Sequence, residues 1–190
     1  MSTRMQAASN QKPACSNQLF DIFLSEVKDP SGKCVSNYLI VEPKKKTKNR
    51  VTGVAILPVV NKRFALLKMY RPALDEEVWE VPRGFVELGE AHDVSVSREL
   101  EEETGICCQP QAVQTLGYMT PEAGILSARI HLFYANADKQ KNAFIPNEFG
   151  HLEMRLFDQE ELERMIQEGQ IQDACTLICY YRYREYSQSV

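Results

Sequence analysis

Stretches of alternating or continuous apolar character recur along the chain, each bounded by turn-forming residues. Leu19–Val27 alternates loosely, Asp29-Pro30-Ser31-Gly32 supplies turn chemistry, and Val35–Val41 follows, which together predict a β-hairpin. Val51–Val60 and Phe64–Tyr70 read as two further strands joined by Asn61-Lys62-Arg63, and Val78–Val81 as a short one stopped by Pro82. Gln111–Met119, Ala128–Ala135 and Leu152–Phe157 have strand character as well. Helical length and charge pattern appear in Ala91–Thr104, with Gly105 as its C-terminal stop and no Ser, Thr or Asn to cap its start. Asp158 caps a second helix that runs to Glu168 and ends at Gly169, and Asp173 opens a third toward Tyr186. Strands mixed with few, late helices predict an α+β sheet sandwich.

Composition narrows this only a little. A chain of 190 residues, 44% hydrophobic and 25% charged, suits one domain with a small N-terminal addition, and it can bury a core without disulfides. The formal net charge of -4 gives no global attraction for nucleic acid. The basic run Lys44–Arg50 has no interleaved aromatics and reads as a solvated loop. No apolar run approaches the ~20 residues that span a bilayer, so no membrane partner is expected. Met1–Asn17 is polar, lacks a signal-peptide core and is expected to be a disordered tail. The six cysteines form no zinc-type pair and read as free thiols of a reducing, cytoplasmic compartment.

Chemistry concentrates in Gly84–Ile106, GFVELGEAHDVSVSRELEEETGI. Glu99, Glu102 and Glu103 stand at i, i+3 and i+4 and share one helix face. Glu99 and Glu103 repel across a turn, and all three lie near the helix C-terminus, where the backbone dipole is already negative. Each such effect costs a few tenths of a kcal/mol up to about 1 kcal/mol, and a bound divalent cation reverses their sign. Clustered carboxylates are hard ligands suited to Mg²⁺ or Mn²⁺. An isolated acidic run is ordinarily a solvated helix face; the flanking residues decide otherwise. Gly84, Glu90, Arg98-Glu99-Leu100, Glu102-Glu103 and Gly105-Ile106 occur at the spacings of the Nudix box. At about one in fifteen for each of its seven fixed residue types, chance gives such a match on the order of once in 10⁸ start points.

The chain therefore resembles the Nudix hydrolases. That resemblance implies an α/β/α sandwich with a mixed sheet, and a box folded as loop–helix–loop. It implies that Glu99, Glu102, Glu103 and the backbone carbonyl of Arg83 bind the metal, that Arg98 pairs with Glu90, and that Gly84 and Gly105 serve the backbone. From about Leu19 to Tyr183 the chain is similar to the ADP-ribose/ADP-sugar pyrophosphatase branch. The similarity rests on the hairpin, on Tyr70-Arg71-Pro72, on Trp79-Glu80-Val81-Pro82-Arg83-Gly84, on Pro121 fifteen residues after Ile106, and on Glu168–Ala174. By this resemblance residues 18–48 form a dimerisation hairpin ahead of a Nudix domain at 49–190, and the protein is a homodimer. Arg71, Trp79, Glu80, Arg83 and Pro121 are then expected to bind the substrate. Arg83 stands where the branch often has Ala, so its guanidinium is expected to bind a phosphate or to narrow the pocket. The branch takes its catalytic base from a loop before a late strand. Here Asp138–Gly150 is that loop, Glu148 lines up best, Glu153 is second, and Glu102 remains a candidate within the box. Glu148 is expected to reach the water only when the loop closes.

The implied reaction is hydrolysis of ADP-ribose or a related ADP-sugar, with Mg²⁺ or Mn²⁺, to AMP and a sugar phosphate. Alternatives are another nucleoside diphosphate compound, such as GDP-mannose, NADH or a diadenosine polyphosphate, or a sensing domain that binds nucleotide without turnover.

Overall fold

The structure is a computed structural model, and it describes residues 6–47, 49–87, 89–137, 142–146 and 148–188. The chain divides into two units, one of residues 1–52 with 120–129, the other of residues 53–119 with 130–190.

The first unit is built on a three-stranded antiparallel sheet: β1 (Gln6–Ser16), β2 (Phe20–Lys28) and β3 (Cys34–Pro43), in that order. The expected hairpin is present as β2–β3, turned by Asp29, whose carboxylate accepts from the amides of Ser31 and Lys33 at 2.8 and 3.0 Å. The expected disordered tail is not what the structure has, since Gln6–Ser16 is a strand paired along β2. A two-stranded hairpin leaves a second edge of unpaired amides and carbonyls, and a polar segment satisfies these through its backbone whatever its side chains. Residues 120–129 run along β3 in this unit: Val41 exchanges backbone hydrogen bonds with Ile125 and Ser127, and the Tyr38 hydroxyl donates to the carbonyl of Gly124.

The second unit holds a seven-stranded sheet. Its strands are β4 (Val51–Val60), β5 (Arg63–Arg71), β6 (Glu76–Glu80), β7 (Arg83–Phe85), β8 (Val113–Met119), β9 (Arg129–Ala137) and β10 (His151–Phe157). The main path is β10-β5-β4-β9-β8, with β6 on β5 and β7 on β4. Three helices cover it: α1 (His92–Thr104), α2 (Gln159–Gln167) and α3 (Ala174–Gln188). Every residue of β4 is buried, which explains why it is apolar throughout except at Thr52. Because side chains alternate across a strand, Ala55, Leu57 and Val59 pack with Leu162, Met165, Cys179 and Tyr180 of α2 and α3. Val54, Ile56 and Val60 pack with Val96 and Leu100 of α1. One sheet thus separates two apolar cores, the α/β/α sandwich expected.

The local signals explain the element ends. Asp158 accepts from the amide of Glu161 at 2.8 Å and caps α2. Helix α1 starts at Ala91 with no side-chain cap and stops at Gly105, whose φ of 69° only glycine adopts without strain. The short strand β7 was not evident in the sequence, because Pro82 interrupts the pattern and three residues are too few to show a period.

Candidate active site

The loop between β7 and α1 and the last two turns of α1 carry the candidate metal-binding acids. Glu99 and Glu103 are 6% and 5% exposed, whereas Glu102 faces solvent. Burial places Glu99 directly against the backbone of Gly84: a Cβ on that glycine would lie 2.0 Å from the Glu99 carboxyl carbon. Glycine at position 84 thus leaves the space that the Glu99 carboxylate occupies.

Arg98 ties this helix face to the loop. Its guanidinium lies 2.7 Å from Glu99, 3.1 Å from Glu102 and 3.5 Å from Glu90, and it donates to the Phe85 carbonyl at 3.3 Å. Glu90 also accepts from Ser95 at 2.5 Å, and these partners hold its carboxyl below the usual range. One cation thus serves three carboxylates, and the last turn of α1 has no basic residue. Burial drives the Glu99 pKa up to about 7; Arg98 opposes this, and the charges of Glu103 and Glu102 add to it. Burial likewise raises Glu103, partly offset by His151 and by the Arg83 amide, which donates to Glu103 at 2.8 Å. Two buried carboxyls with strained ionisation and an all-oxygen donor set are what a hard divalent cation fits.

Glu103 has two further neighbours. The His151 Nε2 lies 3.5 Å from Glu103 and 3.8 Å from Glu148. Ligand atoms of the three side chains all lie within 4.8 Å of one another, a grouping found among the described residues. A turn creates it: the His151 amide donates to the Glu148 carbonyl at 3.2 Å, and Gly150 takes φ 88° where a Cβ would strike the Tyr70 carbonyl. Glu148 is implied by the resemblance to reach the attacking water only when its loop closes. It already stands beside Glu103, because this turn and the start of β10 hold it there. Glu153 is placed differently, exposed and opposite Lys68 across the β10–β5 pair, after a bulge that follows His151. Asp138 lies outside the described residues.

Three of the expected substrate residues, Arg71, Glu80 and Arg83, form an ion-pair network. Glu80 is 4% exposed and accepts from Arg71 at 3.0 and 3.2 Å through Nε, and from the terminal nitrogens of both Arg71 and Arg83. Arg83 also donates to Asp173 at 3.0 Å. Burial alone would lower the Arg83 pKa, but Asp173 and Glu80 more than reverse this, so the guanidinium stays charged. Its fork is committed to two carboxylates, which makes its geometry that of a brace. The Trp79 ring packs edge-to-face on Phe157 at 4.9 Å, at the margin of the core. Pro121 belongs to the other unit, where it is half-buried.

Sequence reasoning missed two functional neighbours. Asp173 was legible only as a helix start; it caps α3 by accepting from the Thr176 amide at 2.9 Å, while its other oxygen takes Arg83. His151, one of three histidines in the chain, gave no signal beyond standing three residues after Glu148.

A family model for the NUDIX domain matches residues 49–176. The chain belongs to the Nudix family. It is 26% identical over 180 residues to the ADP-ribose pyrophosphatase of Bacillus subtilis (strain 168), covering 92% of this chain and 91% of that one. It is 27% identical over 165 residues to the methanol dehydrogenase activator of Bacillus methanolicus, covering 86% and 84%. A crystal structure of an ADP compounds hydrolase shares the fold with a TM-score of 0.80 at 16% identity, over 98% of this chain and 95% of that one. Among the described residues no helix of this Nudix protein is long and apolar enough to cross a membrane.

Proposed function

We propose that the protein is a Nudix hydrolase that cleaves the pyrophosphate bond of ADP-ribose or a related ADP-sugar, releasing AMP and a sugar phosphate. The observation that carries this is the complete box in folded form, with Glu99 and Glu103 buried against Gly84 and the Arg83 amide. The near full-length likeness to an ADP-ribose pyrophosphatase supports the substrate class.

Glu99, Glu102, Glu103 and the Arg83 carbonyl would hold Mg²⁺ or Mn²⁺. When bound, such a cation neutralises charge on the pyrophosphate oxygens and makes water a better nucleophile. The protein's own part is positioning and proton transfer. Gly84 keeps the loop backbone close to the acids. Arg98 and Glu90 lock that loop onto α1. Glu148, half-exposed beside Glu103, accepts the proton of the attacking water, whereas Glu102 is paired with Arg98 and Glu153 stands in β10 opposite Lys68. The Arg71–Glu80–Arg83–Asp173 network fixes the floor on which Arg71 and Trp79 meet the substrate. The active form is a cytoplasmic homodimer joined through the N-terminal sheet.

Product analysis over a panel of nucleoside diphosphate derivatives tests the reading. ADP-ribose should yield AMP and ribose 5-phosphate faster than GDP-mannose, NADH or diadenosine polyphosphates are cleaved. Preference for a non-adenine or dinucleotide substrate by tenfold or more would overturn the substrate assignment, and nucleotide binding with no hydrolysis would leave a sensing domain.

A further inference from the structure

His151 is a buried histidine whose imidazole has no assigned use. Its side chain is 1% exposed, and among the described residues neither Nδ1 nor Nε2 makes a hydrogen bond of normal geometry, Nε2 having only the long contacts to two carboxylates. A buried polar ring without partners costs stability unless something else satisfies it. Nε2 is aimed between two carboxylates, Glu103 at 3.5 Å and Glu148 at 3.8 Å. These distances exceed the ~2.7–2.9 Å of a charge-assisted hydrogen bond. Zn²⁺ bonds of about 2.0–2.2 Å to oxygen and nitrogen put neighbouring donors of a tetrahedral shell about 3.3–3.6 Å apart. The three ligand atoms, all within 4.8 Å of one another, need move only slightly to meet that spacing.

We propose that Glu103, Glu148 and His151 form a mixed oxygen–nitrogen cation site that takes Zn²⁺, or Mn²⁺ more weakly, in preference to Mg²⁺. Imidazole suits Zn²⁺ and other transition metals, whereas Mg²⁺ prefers oxygen donors and keeps its waters. Three protein ligands leave a fourth position open to water or to a phosphate oxygen. The site shares only Glu103 with the box acids, and Glu148 and His151 come from the turn before β10. Its occupation has a consequence that rests on the hydrolase reading: Glu148, once a ligand, no longer accepts a proton, so Zn²⁺ should inhibit turnover supported by Mg²⁺.

Calorimetric titration of the full chain with Zn²⁺ in millimolar Mg²⁺, together with pulsed electron paramagnetic resonance of the Mn²⁺-loaded protein, tests the site. The expected results are one Zn²⁺ bound per chain, a ¹⁴N coupling on Mn²⁺, and loss of that coupling in His151→Gln. Zn²⁺ affinity should fall at least ~10-fold in His151→Gln and in Glu148→Gln, while Mg²⁺ affinity in His151→Gln stays within about threefold, as expected for a ligand Mg²⁺ does not favour. Glu148 is half-exposed, so its variant keeps the test decisive if the buried His151 variant does not fold. No Zn²⁺ binding by the parent protein, or unchanged Zn²⁺ affinity in the variants that fold, would overturn the proposal. Zn²⁺ bound as expected but without inhibition would contradict the role of Glu148 as base and leave the site standing. Zn²⁺ bound by a protein that hydrolyses no nucleotide would overturn the hydrolase reading alone.

Discussion

Glu99 shows how a single side chain couples stability to function. Its pKa is raised to about 7 by burial and by neighbouring acids. The folded protein therefore holds a proton that the unfolded chain, with an ordinary carboxyl, has released. Stability of the metal-free protein is then highest below the unfolded value and falls as pH rises through the folded one. Glu103, raised by burial, adds in the same direction. Each pKa unit corresponds to about 1.4 kcal/mol, or roughly 3–6 °C for a domain of this size. Metal-free Tm should thus drop by several degrees from pH 5 to pH 8, and Glu99→Gln should flatten that profile; scanning calorimetry at both pH values checks this, and an unchanged slope in the variant would contradict it. Gly84→Ala has a different signature. The intruding methyl meets the far end of a flexible side chain, 2.0 Å from the Glu99 carboxyl carbon, so the carboxylate swings aside and the fold survives. The expected result is a stability loss under ~1 kcal/mol with Mg²⁺ affinity reduced at least tenfold, read by denaturation and calorimetric titration. Glu148→Gln should lower kcat by about 10²–10⁴-fold with little change in KM, the usual worth of a general base.

At the scale of elements, α3 does two jobs through its first residues. Asp173 caps the helix with one oxygen and braces Arg83 with the other, while the Thr176 hydroxyl accepts from the Val81 amide at 2.9 Å. Asp173→Asn keeps a competent cap, whereas Asp173→Ala removes both functions. The alanine variant should lose about 1–2 kcal/mol and the asparagine variant clearly less; equal losses would place the cost in the Arg83 contact rather than the cap. The strongly periodic elements were legible in the sequence. Val51–Val60 came out whole because burial on both faces makes nearly every position apolar, and Asp158 and Gly169 framed α2 because capping chemistry is local. The strand β1 was not legible, since its pairing is a matter of backbone hydrogen bonds along β2. The site divides the same way. Box positions carry fixed spacing and were readable, whereas the seating of the Glu99 carboxylate against Gly84 was not. The turn Glu148–His151, the brace of Arg83 and the packing of Trp79 on Phe157 depend on long-range contacts that no spacing encodes.

For the whole molecule, the first unit is a small sheet whose β3 exposes Val35, Tyr38 and Leu39. A three-stranded sheet with apolar side chains in solvent is a natural contact surface, and this supports the proposed homodimer. Light scattering at micromolar concentration should give twice the 21.7 kDa of one chain, and an active monomer would contradict it. None of the six cysteines is in a disulfide and the two on α3 are buried, so reducing agents should leave assembly and activity unchanged. The proposed hydrolysis depends most directly on the box carboxylates acting through a divalent cation. Steady-state turnover of ADP-ribose against Mg²⁺, for the parent and for Glu99→Gln and Glu103→Gln, measures this. Turnover should vanish in excess EDTA and fall at least ~10²-fold in Glu103→Gln, the scale of a lost charge-stabilising group, with the fold retained by circular dichroism. Full activity in EDTA, or unaffected rates in both variants, would contradict it.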